Sequence, residues 1–269
     1  MCRLLAYAAK TDVAAIELAP ETFSEFMALS RKNADGWGMA WYGDGLVPSV
    51  SRSLESAGTD PRFIEEASRP LGEIGIVHLR AATPPLAVNF HNSHPFIHGQ
   101  YAMAHNGAIY PRRGQTAMDL EAVERIVPEN WRGQLQGNTD SERYFMAVVA
   151  KIAAGASVVC ALRDTAAKIV ADFLPTCLNA FLIGPDALYA ICWFQDEPYP
   201  VEYYKLFGPD ELKDYFHLRY KRTDNSFVIA STGWPQSGWT ELGRNRIIKI
   251  ERHTLRMTEF ELFPASAVD

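Results

Sequence analysis

The residue with the clearest chemical potential is Cys2, which directly follows Met1. If Met1 is removed, Cys2 becomes the first residue and carries both a thiol and a free α-amine. A thiol with a pKa of about 8.5 is only slightly ionised at neutral pH, whereas an α-amine with a pKa of about 7.7–8.0 is suited to act as a general base. One residue would then supply a nucleophile and the base that takes up its proton.

Three further polar patches occur where a strand is predicted to end or a helix to begin. H-L-R-A-A-T covers residues 78–83, H-N-G covers residues 105–107, and N-T-D-S-E covers residues 138–142. Strand ends and helix starts are where a rigid scaffold presents reactive groups. Each patch also has an ordinary structural explanation, because N-G is a common turn and T-D-S-E is a common helix cap. A lone arginine at a strand end commonly forms a surface ion pair.

Taken in order, these patches resemble the class II glutamine amidotransferases, which are N-terminal-nucleophile hydrolases. The motifs that carry the resemblance are the cysteine after Met1, R-x-x-T at residues 80–83, H-P-F at 94–96, H-N-G at 105–107 and T-D-S-E at 139–142. The chain is most similar to the stand-alone subfamily that starts M-C-x-x-L and carries D-G-W-G, here at residues 35–38. The resemblance runs from Cys2 to about Glu142 and more loosely through F-V-I-A-S at residues 227–231.

The resemblance implies three catalytic positions. An amide is a poor electrophile, so its cleavage favours a covalent route in which Cys2 forms a thioester. Asn106, through its side chain, and Gly107, through its backbone N–H, would donate hydrogen bonds to the oxyanion of the tetrahedral intermediate. The loss of one such donor typically costs about 3 kcal/mol of transition-state stabilisation.

The resemblance also implies four positions that hold the glutamyl end of the substrate, which is a zwitterion. The planar guanidinium of Arg80 would bind its α-carboxylate through two parallel hydrogen bonds. The carboxylate of Asp140 would bind its α-ammonium, and Thr83 and His94 would line the same pocket.

The chain departs from the synthase-linked members of the family beside these positions. Where those members have tryptophan after the arginine and histidine after the threonine, this chain has Ala81 and Pro84. The pocket wall is therefore different, and the substrate could be glutamine or a larger γ-glutamyl amide. A second reading also stays open, in which the chain is a catalytically weak binding subunit that supplies ammonia to a separate synthase.

The pattern of elements predicts the scaffold that positions these residues. The order is strands, then helices, then strands from Cys177 onward, without sustained β-α-β alternation, which argues against a parallel sheet. We expect an α+β fold: a four-layer αββα sandwich with two antiparallel sheets between helix layers, formed by residues 2–269 as one domain. Strands are predicted over residues 2–8, 39–42, 73–80, 100–104, 180–183, 188–194, 215–220, 226–231 and 246–252, and helices over 20–32, 61–68, 118–127, 138–152 and 157–173.

Composition narrows the classes of partner. The 269 residues are 48% hydrophobic and carry a formal net charge of −6, which argues against nucleic acid as a partner. No apolar run approaches the ~18 residues of a membrane span, and a signal peptide is not evident. Four cysteines without a C-x-x-C pair do not indicate a disulfide scaffold, so we expect a cytoplasmic protein. Homo-oligomerisation stays open.

A metal site is the remaining alternative. His91, His94 and His98 have a spacing that could hold zinc on a helix. Pro95 disfavours a helix there, and no nearby carboxylate completes a ligand set. We therefore expect no metal ligand set and no cofactor.

Overall fold

Two antiparallel β-sheets and the helices on their outer faces make up the described part of the chain. The structure is a computed structural model that describes residues 2–43, 45–82, 86–111, 119–197, 199 and 201–264. The strands are β1 Arg3–Ala14, β2 Trp37–Tyr42, β3 Ser49–Ser53, β4 Pro70–Leu79, β5 Phe96–His98, β6 Tyr101–Asn106, β7 Ile109–Pro111, β8 Phe173–Pro175, β9 Asn179–Ile183, β10 Ala187–Cys192, β11 Leu218–Arg222, β12 Ser226–Ser231, β13 Thr240–Leu242, β14 Arg246–Glu251 and β15 Met257–Glu261. The helices are α1 Phe23–Ala28, α2 Pro61–Ala67, α3 Leu120–Glu124, α4 Glu129–Arg132, α5 Asp140–Ala153, α6 Val158–Asp172 and α7 Val201–Tyr215, with short 3₁₀ turns at Ala15–Leu18, Leu29–Arg31 and Phe90–Asn92.

The two large sheets take strands from both halves of the chain. The first has the order β13-β11-β12-β1-β4-β2-β3, and the second has the order β15-β14-β10-β9-β6-β5. Strand β1 pairs antiparallel with β4 on one side and with β12 on the other. A short pair, β7 with β8, lies outside both sheets.

Strand alternation divides the apolar side chains into an inner layer and two outer layers. Leu4, Ala6 and Ala8 of β1 face the second sheet, where they pack with residues such as Ala104 and Phe181. Their neighbours in β1 face the opposite way and pack under α1 and α2. The outer face of the second sheet packs under α5 and α6. The four layers are therefore helix, sheet, sheet and helix, which confirms the predicted α+β sandwich.

Three helices begin at a residue whose side chain caps them. The Thr139 side chain accepts a hydrogen bond from the Glu142 N–H at 3.1 Å and caps α5. Asp60 caps α2, in which Pro61 is the first residue. Ser157 caps α6 in the same way. In each case a side-chain oxygen satisfies an N–H that has no partner inside the helix.

The region after β10 differs most from the sequence prediction. Helix α7 occupies Val201–Tyr215, and the strand predicted to begin at Tyr215 begins instead at Leu218. The helical pattern is obscured because Gly208 has a left-handed φ of 72° and Pro209 follows it inside the helix. Its aromatic residues favour a strand by propensity, but their packing decides otherwise.

Smaller differences concern element ends. The helix predicted over 20–32 is regular only over α1 and continues as a 3₁₀ turn, and the helix predicted over 118–127 is confined to α3 within the described residues. Strand β1 continues to Ala14, beyond the predicted end at Ala8. Among the helices described, none has the length and hydropathy of a transmembrane span.

Candidate active site

Cys2 lies at the open end of the layer between the two sheets. It precedes β1 on the face that Leu4 and Ala6 share, and the β1–β4 register sets it beside Arg80. Across the layer, Asn106 ends β6 on the inward face that Ala102 and Ala104 share. The Cys2 N–H donates a hydrogen bond to Asn106 Oδ1 at 3.0 Å. This contact joins one sheet to the other at the site.

A second contact fixes the Cys2 backbone from α7. The Tyr215 hydroxyl donates to the Cys2 carbonyl oxygen at 3.3 Å. The Arg3 guanidinium lies 3.9 Å from the centre of the Tyr215 ring and pairs with Glu211 at 3.2 Å. The helix that the sequence did not predict therefore holds the first residues of β1 in place.

The Cys2 thiol is buried. Its Sγ lies 3.7 Å from the Ala81 carbonyl oxygen, and the residue is 8% exposed. Burial raises the pKa of the Cys2 thiol, because a thiolate loses hydration there. A nucleophilic attack by this sulfur therefore requires a base that removes its proton.

A small pocket opens above the thiol. Every predicted site residue in the described part of the chain lines it, namely Cys2, Arg80, His94, Asn106, Gly107 and Asp140. Thr83, the remaining predicted residue, lies outside the described residues. The wall also includes Ala81, Ala82, Leu86, Asn92, His105, Thr139 and Ser141.

The H-N-G loop is held tightly against the segment before β9. A Cβ added to Gly107 would lie 1.9 Å from the Cys177 carbonyl oxygen, so only glycine fits there. The same carbonyl oxygen lies 3.0 Å from His105 Nε2, and His105 Nδ1 lies 2.9 Å from Ser141 Oγ. A carbonyl oxygen only accepts, so Nε2 carries the proton. Burial lowers the pKa of His105, whereas the nearby Asp140 acts in the opposite direction. Ser141 Oγ, the partner of Nδ1, also lies 3.3 Å from Asp140 Oδ1.

Arg80 brings a cationic group to the pocket wall. Its Nη2 donates to the Ala87 carbonyl oxygen at 3.1 Å, and its Nη1 is buried without a hydrogen-bond partner among the described residues. Burial lowers the pKa of Arg80, and the nearby Cys2 and Asp35 act in the opposite direction. Asp35 also accepts from the Ala82 N–H at 2.8 Å, which fixes the segment after β4. The buried donor of Arg80 is thus available to an anionic ligand.

Asp140 joins the H-N-G loop to α5. Its Oδ2 accepts from the Ile109 N–H at 2.8 Å, and its Oδ1 accepts from the Ser141 N–H at 2.8 Å. The residue is 2% exposed. Since each carboxylate oxygen has two acceptor positions, these bonds leave room for a further donor from the pocket.

His94 is paired with a histidine to which the sequence analysis gave no role. The rings of His94 and His78 lie 4.4 Å apart, centre to centre, and burial lowers both pKa values well below the ordinary range. With Cys2 they form a group whose ligand atoms all lie within 4.8 Å of one another. Within the described residues, His91, His94 and His98 form no such group.

Glycine makes room for His94. A Cβ on Gly38, in the D-G-W-G motif, would lie 2.1 Å from the His94 carbonyl oxygen. The motif therefore lets the H-P-F segment approach β2 closely.

Two residues at the site were missed because their contacts span distant segments. Asn92 binds the Ala87 carbonyl oxygen at 3.0 Å and exchanges hydrogen bonds with Asn138 at 2.6 and 2.9 Å. It ties the loop after β4 to the start of α5. His78 could have been identified from the sequence, because it is a polar residue at an inward-facing position of β4.

Comparisons with known proteins indicate the family of this chain. The family model of the class II glutamine amidotransferases matches residues 1–184. The γ-glutamyl-hercynylcysteine sulfoxide hydrolases of two Mycobacterium tuberculosis strains are 31% identical over 77 residues. That match covers 29% of this chain, and the chain spans about a third (33%) of the length of these curated relatives.

Solved structures share the fold at low sequence identity. A class II glutamine aminotransferase domain protein from Silicibacter pomeroyi is 19% identical, with a TM-score of 0.66 over 98% of this chain and 100% of that one. An allosteric regulatory enzyme of purine biosynthesis is 12% identical, with a TM-score of 0.64 over 97% of this chain and 49% of that one. Because the family model covers more than half of the residues, this chain belongs to the class II glutamine amidotransferases.

Proposed function

We propose that this protein hydrolyses a γ-glutamyl amide through a thioester on Cys2, releasing glutamate and ammonia or an amine. The observation that carries the proposal is the shared pocket: a thiol at the start of β1 faces Asn106, Gly107, Arg80 and Asp140 across one cavity. Family membership supports the same chemistry. Removal of Met1 is part of the proposal, because it turns the Cys2 amide nitrogen into an amine.

In the proposed first step, the Cys2 α-amine takes the proton of its own thiol. The sulfur then attacks the amide carbon, and the new oxyanion accepts hydrogen bonds from Asn106 Nδ2 and the Gly107 N–H. The hydrogen bond between Cys2 N and Asn106 Oδ1 suits this role, since it turns the Nδ2 donor away from Cys2 N. The α-ammonium returns the proton to the leaving nitrogen as the C–N bond breaks.

In the proposed second step, water replaces the leaving amine. The α-amine removes a proton from the water, the resulting hydroxide attacks the thioester carbon, and the C–S bond breaks as the thiol regains a proton. Glutamate leaves, and the residues return to their starting state. The groups of the chain suffice for this cycle, so no cofactor enters it.

The glutamyl head is proposed to bind between Arg80 and Asp140. The unpartnered Nη1 of Arg80 suits an α-carboxylate, since a bidentate guanidinium–carboxylate pair is a strong contact. Asp140 has acceptor positions left for the α-ammonium. Thr83 and His94 are proposed to complete the pocket wall.

The leaving group is proposed to be an amine larger than ammonia. Ala81 and Leu86 are half-buried residues of the pocket wall, and the small side chain of Ala81 supports a larger amine. The curated relatives act, by their names, on a γ-glutamyl conjugate of a cysteine derivative. We therefore propose γ-glutamyl conjugates of cysteine-derived amines as the substrate class, with glutamine as the reference substrate.

The experiment combines mass analysis, labelling and turnover on the purified protein. Intact mass should show loss of Met1, and a diazo-ketone analogue of glutamine should add one equivalent to Cys2. Glutamate release should be lost in Cys2→Ala and retained in Cys160→Ala, which removes an exposed cysteine far from the described pocket. Labelling that persists in Cys2→Ala, or turnover by a chain that keeps Met1, contradicts the proposal.

The same assay tests the alternative of a catalytically weak subunit that serves a separate synthase. Glutamate release by the purified protein alone, at a rate unaffected by other proteins, contradicts that alternative. Labelling of Cys2 without turnover would support it.

A further inference from the structure

Cys2, His78 and His94 form a group of potential metal ligands, and the proposed hydrolysis does not use all of them. One sulfur and two imidazoles, all buried, bring their ligand atoms within 4.8 Å of one another. They come from three separate segments: the start of β1, the end of β4 and the segment before β5. The hydrolytic cycle uses Cys2 and gives His78 no role.

The two imidazoles stand out because their ring nitrogens are unpartnered. His78 is 0% exposed and His94 is 6% exposed, and none of their four ring nitrogens has a hydrogen-bond partner among the described residues. Buried polar groups are otherwise nearly always paired. His105, the third buried histidine of the pocket, uses both of its nitrogens. The unpaired nitrogens of His78 and His94 are therefore free to bind a ligand.

We propose that Cys2, His78 and His94 form a binding site for a thiophilic divalent transition metal ion of the Zn²⁺ type, which blocks the nucleophile while bound. The inference rests on the proposed function only where it calls Cys2 the nucleophile. The metal site itself is argued from the three donors.

The donor set fits this class of ion. One thiolate and two neutral imidazoles are the ligands that Zn²⁺ and Co²⁺ prefer, whereas Mg²⁺ and Ca²⁺ require oxygen donors. Neither imidazole has a hydrogen-bond partner at either ring nitrogen among the described residues, so each can offer a nitrogen to the metal. On binding, the Cys2 thiol releases its proton to solvent as the metal–sulfur bond forms.

The spacing is compatible after a small adjustment. With Zn–S of about 2.3 Å and Zn–N of about 2.0–2.1 Å, tetrahedral ligand atoms lie roughly 3.5 Å apart. The present separations, up to 4.8 Å, close to that value by side-chain rotation. Three protein ligands leave a fourth coordination position open.

Co²⁺ is the probe that tests the site directly. Adding Co²⁺ to the purified protein should produce a sulfur-to-cobalt charge-transfer band and intense tetrahedral d–d bands, and Zn²⁺ should displace both with one equivalent per chain. Cys2→Ser should abolish the charge-transfer band. His94→Gln should weaken Co²⁺ binding by at least about 100-fold, since even outer-shell changes cost 10–100-fold.

Two controls keep the result interpretable. His91→Gln, which changes an exposed histidine near His94 in sequence, should bind Co²⁺ like the unchanged protein. A circular dichroism melt of Cys2→Ser and His94→Gln checks that lost binding is not lost folding. No charge-transfer band in the folded protein, or equal Co²⁺ affinity in His94→Gln, overturns the inference.

Turnover separates this inference from the proposed function. Zn²⁺ should inhibit glutamate release at one equivalent, and EDTA should restore it. A protein that hydrolyses γ-glutamyl amides but shows no Co²⁺ band refutes the metal site alone. A protein that shows the band but never turns over refutes the proposed function alone.

Discussion

Arg80 is the residue whose geometry, more than its charge, should matter for substrate binding. Arg80→Lys keeps the cation but loses the planar pair of donors. We expect kcat/KM for γ-glutamyl substrates to fall by about 10- to 100-fold, mainly through KM, because hydrogen bonds to charged groups contribute about 1.5–3 kcal/mol. Steady-state kinetics measure the effect. Arg69→Lys, at an exposed ion pair with Glu66, is the control, and an unchanged KM in Arg80→Lys contradicts the assignment.

Gly107 is constrained by close approach of backbone atoms. In Gly107→Ala the new Cβ would fall 1.9 Å from the Cys177 carbonyl oxygen, so the H-N-G loop must move. We expect a loss of about 1–3 kcal/mol in the free energy of unfolding, as for other overpacked sites, together with a large drop in kcat. Chemical denaturation and steady-state kinetics measure both.

Gly133→Ala is the matched control for Gly107→Ala. Gly133 has a helical φ of −64°, and a Cβ added there would have no neighbouring atom within 4 Å. Alanine at this position should be neutral or stabilising by up to about 1 kcal/mol. Equal stability of the two variants would show that the loop yields without cost.

At the scale of elements, Asp60 links the start of α2 to the D-G-W-G strand. Its carboxylate caps α2, accepts from Trp37 Nε1 at 3.0 Å and pairs with Arg62 at 2.8 Å. Burial favours the neutral acid, but hydrogen bonds from Arg62, Ser53 and Trp37 outweigh it and lower the pKa of Asp60 to about 2.

This pKa has a defined consequence for acid stability. Since the folded pKa lies below the unfolded value of about 3.9, the ionised Asp60 stabilises the fold above that pH and loses its effect as the pH falls toward 2. Asp60→Asn should lower the free energy of unfolding by about 1–2 kcal/mol at neutral pH. Urea denaturation at several pH values should show the two proteins converging between about pH 4 and pH 2. Parallel pH profiles would contradict this role.

Local signals predicted the elements that depend on local chemistry. Capping residues at Asp60 and within residues 138–141 predicted two helix starts, and alternation predicted the central strands. Helix α7 could not be predicted, because its packing on the start of β1 overrides strand-like aromatic residues and a Gly208–Pro209 break. At the site, the sequence motifs identified residues that line one pocket. They could not predict the contact between His78 and His94, because that contact depends on how the strands pair.

At the scale of the whole molecule, we propose that residues 2–269 form one domain. The family match ends at residue 184, yet β12, from Ser226 to Ser231, lies beside β1 in the first sheet. The Leu4 N–H donates to Ser231 Oγ at 3.0 Å. The strand that directly follows Cys2 is therefore supported by the last third of the chain.

Ser231→Ala tests this support. It leaves the buried Leu4 N–H without an acceptor, which should cost about 1–3 kcal/mol. Far-ultraviolet circular dichroism and tryptophan fluorescence should report one coincident transition at a lower temperature than in the unchanged protein. Two separate transitions, with only the later one shifted, would contradict a single domain.

The hydrogen bond between Cys2 N and Asn106 Oδ1 crosses from one sheet to the other. The sulfur that we propose to react and the proposed oxyanion donors thus belong to two different sheets, which pack through an apolar layer. A slide of one sheet over the other by a fraction of an ångström changes the attack distance at once. Substitutions that reduce side-chain volume in that layer, such as Ala104→Gly or Ile76→Val, should therefore change kcat, although neither residue lines the pocket.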